Sequence, residues 1–163
     1  VLLLIKISKK NNLNISVAES CTGGLLSSSI IEIPGASDIF NSGFVTYSNG
    51  AKIKHLGVNK NTVKKFGAVS NETSLAMAKG LYKISKSNLI VSITGVAGPN
   101  GGTKKNPVGT VYFTFGVRQN KKTITYSTFR HNFKSKNRVR IQKKSVNYVL
   151  DKFIEIARTY KLD

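Results

Sequence analysis

The run Leu89–Ile93 (LIVSI) constrains the fold more than any other segment. It has no alternation of apolar and polar side chains, the pattern of a strand covered on both faces. Such a strand needs a layer on each side of its sheet, and the flanking segments read as those layers. Val1–Ile5 opens a first helix that the polar stretch Lys6–Asn12 closes, and Asn14–Ala18 (NISVA) is a short strand. From Thr22 a helix is expected, with apolar residues at 25, 26, 30, 31 and 33, stopped by Pro34–Gly35. Ile39–Tyr47 reads as a strand interrupted by Gly43, and Asn49–Leu56 and Asn59–Phe66 as short helices. Ser70 is an N-cap for a helix whose stripe is Leu75, Ala76, Ala78, Leu81 and Tyr82.

Val108–Val117 and Thr123–Arg130 alternate as a hairpin around Gln119–Lys122, and Arg138–Tyr160 is a long last helix. Val139, Val146, Val149, Leu150, Phe153, Ile156 and Ala157 are placed on one face of that helix. Strands that alternate with helices, followed by a hairpin and a helix, define a three-layer α/β/α domain with a mixed β-sheet, expected to span 1–163 without a linker.

Composition removes several function classes. Val1–Ile5 is far too short to span a bilayer and lacks the basic leader and cleavage site of a signal peptide, so no membrane partner is expected. One cysteine cannot form an internal disulfide, which fits a reducing cytoplasm. Two isolated histidines and scattered carboxylates offer no metal-ligand spacing, so no metal or cofactor is expected. Twenty-six Lys+Arg against seven Asp+Glu give a formal charge of +19. The basic residues are spread along the chain without interleaved aromatic platforms. Non-specific attraction to polyanions at low salt therefore follows, rather than specific nucleic-acid recognition.

Three constellations carry chemistry. AESCTGG (18–24) sits at a strand-to-helix transition, where free N–H groups and a positive dipole end gather. Glycines at 23 and 24 let a ligand approach the backbone there, and the main-chain N–H groups around Cys21–Gly24 are candidate oxyanion donors. Ser20, Cys21 and Thr22 are all candidate reactive groups. A cysteine nucleophile wants a histidine partner, and neither His55 nor His131 lies in a catalytic pattern; a buried filler is the simpler role for this thiol. Tyr47, Ser48 and Asn49 end a strand shortly before Lys52. A lysine normally sits on a solvated face, but a desolvated one loses its proton readily and can serve a serine as base. Thr94–Gly102 (TGVAGPNGG) holds four glycines and a proline in nine residues, at the strand end where open α/β sheets bind ligands. It lacks the G-K-[ST] of a Walker loop.

The same segments resemble the C-terminal domain of the competence/damage-inducible CinA family, whose stand-alone members are nicotinamide-nucleotide amidases. The resemblance is carried by AESCTGG, by PGAS with GFVTYSN and AK at 34–52, by GAVS at 67–70, by TGVAGPNGG and by PVGTV at 107–111. It implies hydrolysis of the carboxamide of nicotinamide mononucleotide to nicotinate mononucleotide and ammonia. Ser20 would be the nucleophile and Lys52 its base, with Tyr47 orienting groups in the pocket. Cys21, Thr22, Gly23 and Gly24 would form the oxyanion and helix-start part of the site. Thr94, Gly95 and Gly98 would line the pocket, and the site arginine of the last helix would be Arg140. The substrate's phosphate would sit on the Gly95–Gly102 loop or near Arg140. Relatives often read G-D-R before that helix, where this chain has Ser135–Lys136–Asn137. A homo-oligomer is also expected. The other readings of the chain are a nucleotide-binding protein of the same family that has lost the reaction, and a basic nucleic-acid-binding protein.

Overall fold

In the computed structural model, which describes residues 1–120 and 123–160, the buried run becomes β3 (Leu89–Gly95) at the centre of a five-stranded sheet. Beside it on one side lie β1 (Ile15–Glu19) and then β2 (Phe40–Val45), all parallel. On the other side β4 (Thr110–Arg118) and β5 (Ile124–Asn132) run antiparallel. The expected mixed sheet between two helical layers is what forms. Of the hairpin turn expected at Gln119–Lys122, residues 121 and 122 lie outside the described residues.

Period-two alternation along the strands sorts the two cores. Ile15, Val17, Leu89, Val91, Ile93, Val111, Phe113 and Phe115 face α1 (Leu2–Lys10), α2 (Leu25–Ile31) and α6 (Arg138–Thr159). Ala18 and Ile90 face the opposite layer, made of α3 (Asn49–Leu56), α4 (Lys60–Phe66) and α5 (Asn71–Ser85). α5 covers this second face with small and hydroxyl side chains. Ser74 Oγ lies 2.8 Å from Thr114 Oγ1 and 3.2 Å from Ser92 Oγ, so its polarity is satisfied inside the protein.

Three elements depart from the sequence reading for physical reasons. The α5 stripe is centred on Ser74, Met77, Ala78 and Leu81 rather than on Leu75 and Tyr82, because its hydroxyls bond inward instead of facing water. α2 starts at Leu25 rather than Thr22, since Gly23 (φ 63°) and Gly24 (φ 95°) take left-handed backbone that a helix cannot contain. Val139 is 55% exposed and does not belong to the buried face of α6.

A close helix crossing positions α3. A Cβ on Gly80 of α5 would lie 1.8 Å from the carbonyl oxygen of Leu56, the last residue of α3. In an ordinary helix interior, glycine to alanine stabilises by about 1 kcal/mol. Here the sign should reverse: Gly80→Ala is expected to destabilise the protein by about 1–3 kcal/mol as the helices are pushed apart. Urea unfolding measures it, and a stabilised variant would refute the crossing.

Candidate active site

The crevice at the C-terminal ends of the parallel strands β1 and β3 is where the chain leaves the sheet in different directions, through α2 from β1 and through an extended loop from β3. It contains a pocket of about 240 Å³. Ser20 and Cys21 enter from the end of β1, Thr94, Gly95 and Ala97 from the end of β3, and Tyr47 and Lys52 from the β2–α3 corner.

Strand alternation continues past β1 and separates two neighbours. Glu19 turns toward α2, where its carboxylate accepts hydrogen bonds from the main-chain N–H groups of Gly24 (3.1 Å), Leu26 (3.0 Å) and Ser27 (2.8 Å) and from the Ser27 hydroxyl (2.6 Å). The chain's own carboxylate thus fills the anion site that a helix N-terminus offers. Ser20 turns the other way, toward α3, and its N–H donates to the Ile93 carbonyl at 3.0 Å, tying the turn to β3.

Lys52, one of the largest fully buried side chains, is 1% exposed. The cap of α3, where Ser48 Oγ accepts from the Ala51 N–H, sets the helix that carries it. Its Nζ lies 3.0 Å from Ser20 Oγ, and it donates to the carbonyls of Thr46 (2.9 Å) and Tyr47 (3.2 Å). A tetrahedral nitrogen bonded to Cε has three remaining directions, and these three oxygens take them. Two are carbonyls that only accept, so in the neutral amine the lone pair is left pointing at the serine hydroxyl. Burial lowers the pKa of Lys52, with the neighbouring Cys21 pulling weakly the other way.

The same burial pushes the Cys21 thiol up to about 12, against smaller opposing effects of its own N–H, Arg138 and Lys52. A protonated thiol is a poor nucleophile near neutral pH.

Several predicted residues have other roles. The N–H groups of Gly23 and Gly24 are not available as oxyanion donors: Gly23 donates to the Ser20 carbonyl at 3.1 Å and Gly24 to Glu19. The N–H groups of Cys21 and Thr22 meet no carbonyl or carboxylate acceptor among the described residues. The Thr22 hydroxyl is buried without a hydrogen-bond partner and caps nothing. Tyr47 holds the lysine with its carbonyl rather than its phenol, which is 61% exposed as part of the residue and accepts from Arg138 Nη2 at 3.0 Å. Thr94 donates its hydroxyl to the Ala68 carbonyl at 2.7 Å, joining β3 to the α4–α5 loop at the pocket wall. Gly95 lines the pocket, whereas Gly98 contributes only its carbonyl, which accepts from Arg138 Nη1 at 2.9 Å.

Arg140 is a correction. It borders a surface hollow with Lys143 and Lys144 instead of the pocket. The pocket arginine is Arg138, two residues earlier and therefore about 200° around the helix. The sequence held a signal for this choice: Arg138 is in register with the buried Ile141 and Ser145 at i+3 and i+7, while Arg140 is not. Gln142, one turn beyond Arg138, was not anticipated; its Nε2 donates to the Cys21 carbonyl at 2.9 Å. Among the described residues no group of three His, Cys, Asp or Glu side chains gathers to hold a metal ion. No helix there is long and apolar enough to cross a membrane.

Fold and pocket together define a three-layer α/β domain with a buried serine–lysine pair at the C-terminal edge of its parallel strands. The chain belongs to the CinA C-terminal domain family, whose model matches residues 2–157. A putative competence-damage inducible protein of Clostridioides difficile is 49% identical over 142 residues, covering 87% of this chain and 34% of that protein. One from Clostridium acetobutylicum is 54% identical over 123 residues, covering 76% and 29%. The chain thus spans about a third of the length of the curated relatives it matches. Among solved structures, the CinA superfamily protein KP700603 of Klebsiella pneumoniae superposes with a TM-score of 0.88 at 25% identity, over 97% of this chain and 95% of that one. A competence/damage inducible protein of Agrobacterium tumefaciens gives 0.84 at 34% identity, over 94% and 95%.

Glu19→Gln tests what holds the serine turn in place. The amide keeps one acceptor oxygen and sets an NH₂ against main-chain donors, so a loss of about 3 kcal/mol is expected in denaturant unfolding. A change under about 0.5 kcal/mol would mean that the carboxylate is not what orders the start of α2.

Proposed function

We propose that this domain is an amidase that hydrolyses the carboxamide of nicotinamide mononucleotide, releasing nicotinate mononucleotide and ammonia. The observation that carries the reaction type is the 3.0 Å approach of the buried Lys52 amine to Ser20 Oγ. The substrate comes from the resemblance to stand-alone members of the CinA family.

In the reaction, Ser20 Oγ attacks the carboxamide carbon while the neutral Lys52 amine takes the hydroxyl proton. The resulting oxyanion accepts hydrogen bonds from the Cys21 and Thr22 N–H groups. The Lys52 ammonium then gives its proton to the leaving nitrogen, ammonia departs, and an acyl-serine ester remains. Water, deprotonated by the same amine, cleaves the ester, and the proton returns to Ser20. One lysine acts alternately as base and acid. The Thr46 and Tyr47 carbonyls hold it in place in both protonation states.

The direct assay is ammonia release from nicotinamide mononucleotide by the purified protein. Ser20→Ala and Lys52→Met should each lower turnover by about a thousandfold or more. Cys21→Ala should keep measurable turnover, because the mechanism uses only the main-chain N–H at that position. Since the active base is the neutral amine, wild-type activity should rise with pH as Lys52 loses its proton. Burial lowers the Lys52 pKa, so this rise should fall below the range of an ordinary lysine. Turnover that survives Ser20→Ala but not Cys21→Ala would overturn the nucleophile assignment. Nucleotide binding without ammonia release would leave a binding protein in place of an enzyme.

A further inference from the structure

Cys21 and Thr22 are the central residues of a β-turn, closed by the Gly23 N–H on the Ser20 carbonyl at 3.1 Å. The peptide that joins them takes no part in that bond, and its rotation is what separates turn type I from type II. Thr22 does not adopt a positive φ, so the type II arrangement is not the one formed. From outside the turn the peptide is held by Gln142 of α6, whose Nε2 donates to the Cys21 carbonyl at 2.9 Å.

A trans peptide sets its C=O and its N–H in opposite directions. In this peptide the carbonyl belongs to Cys21 and the N–H to Thr22. With the carbonyl drawn to α6, the Thr22 N–H is directed away from α6. That helix covers the sheet face that carries Val17 and Ile93, whereas α3, with Lys52, covers the opposite face. The N–H thus faces the layer from which Lys52 reaches Ser20 Oγ. A donor on the carbonyl also polarises the peptide and strengthens its N–H as a donor in turn. Gln142 itself does not line the catalytic pocket, so it reaches the chemistry only through this peptide.

We infer that Gln142 is a positioning residue for the oxyanion. It fixes the Cys21–Thr22 peptide so that the Thr22 N–H meets the oxygen of the tetrahedral intermediate formed on Ser20. This rests on the amidase reading and adds to it a side chain from a helix distant in sequence. Arg138, one turn earlier, has a different task, since its hydrogen bonds go to the Gly98 carbonyl and the Tyr47 hydroxyl. An oxyanion exists in the transition state and not in the bound substrate, so the contribution of Gln142 belongs to kcat and not to KM.

The test uses Gln142→Leu, which keeps the bulk and removes the donor, and Gln142→Glu, which sets a carboxylate against the carbonyl. Gln142 is half-buried, so neither change empties the core beneath α6. Each should lower kcat for ammonia release from nicotinamide mononucleotide about tenfold, less than the loss of an oxyanion donor outright, and leave KM within about twofold. Gln142→Lys returns a donor of similar reach and should recover most of the rate. The pH at which activity rises should stay in place, because the hydrogen bonds of Lys52 do not include Gln142. Wild-type kcat in Gln142→Leu, or a loss that appears in KM instead, overturns the assignment and leaves the amidase intact. If the wild-type protein releases no ammonia, the amidase reading falls, and acetylation of Ser20 by 4-nitrophenyl acetate decides the positioning role separately. There Ser20 Oγ adds to the ester carbonyl, Lys52 takes the hydroxyl proton and 4-nitrophenolate leaves, through the same oxyanion. The mass of the peptide that carries Ser20 follows the reaction. Acetylation about tenfold slower in Gln142→Leu and restored in Gln142→Lys supports the role. Equal rates in the wild type and Gln142→Leu, or no acetylation of Ser20 at all, overturn it.

Discussion

The turn that carries Ser20 depends on the buried carboxylate of Glu19. Glu19 gathers three N–H groups and a hydroxyl from the first turn of α2 and the residue before it. Without it, those donors would compete for any anion that entered the crevice. With it, the turn from Ser20 to Gly24 is fixed at both ends, by Glu19 beneath and by the Ser20–Ile93 hydrogen bond to β3. Among the described residues the N–H groups at positions 21 and 22 meet no carbonyl or carboxylate acceptor. The N–H groups that the proposed reaction uses and the start of α2 are thus both set by the placement of one residue.

The last helix closes the site from the far end of the chain. Arg138 reaches the Gly98 carbonyl and the Tyr47 hydroxyl, and Gln142 reaches the Cys21 carbonyl. Two side chains one turn apart thereby contact the loops after β1, β2 and β3. These loops carry the serine, hold the lysine and line the pocket, and their parent strands are neighbours in the sheet. α6 itself is held by Ile141, Val149 and Phe153 in the larger core. Packing energy far from the pocket therefore sets geometry within it.

Much of this was legible before the structure. LIVSI demanded two layers, Ser70 capped α5 through Thr73 as its position implied, and the glycines marked the crevice. The segments that meet at the pocket are those whose residue types look chemical. What escaped was direction. Nothing local in AESCTGG says that the Gly23 and Gly24 amides point inward, because that depends on where Glu19 sits relative to α2. Arg138 and Arg140 share a residue type two positions apart, so only the buried register of α6 tells them apart, and it favours the earlier one. The α5 face was misjudged because a serine has no fixed preference for water when a strand supplies Ser92 and Thr114 as partners.

Burial also decides between the two neighbouring nucleophiles. Cys21 and Lys52 would attract each other as thiolate and ammonium, and each moves the other's pKa toward the charged form. Removal from water is the larger effect for both, so the thiol keeps its proton while the amine tends to lose its own. A drier pocket therefore weakens Cys21 as a nucleophile and strengthens Lys52 as a base. A hydroxyl gains from that arrangement as a thiol would not, since a serine needs a strong base and does not depend on a pre-formed anion. The lowered pKa of Lys52 and the raised pKa of Cys21 beside it are thus two outcomes of the same desolvation.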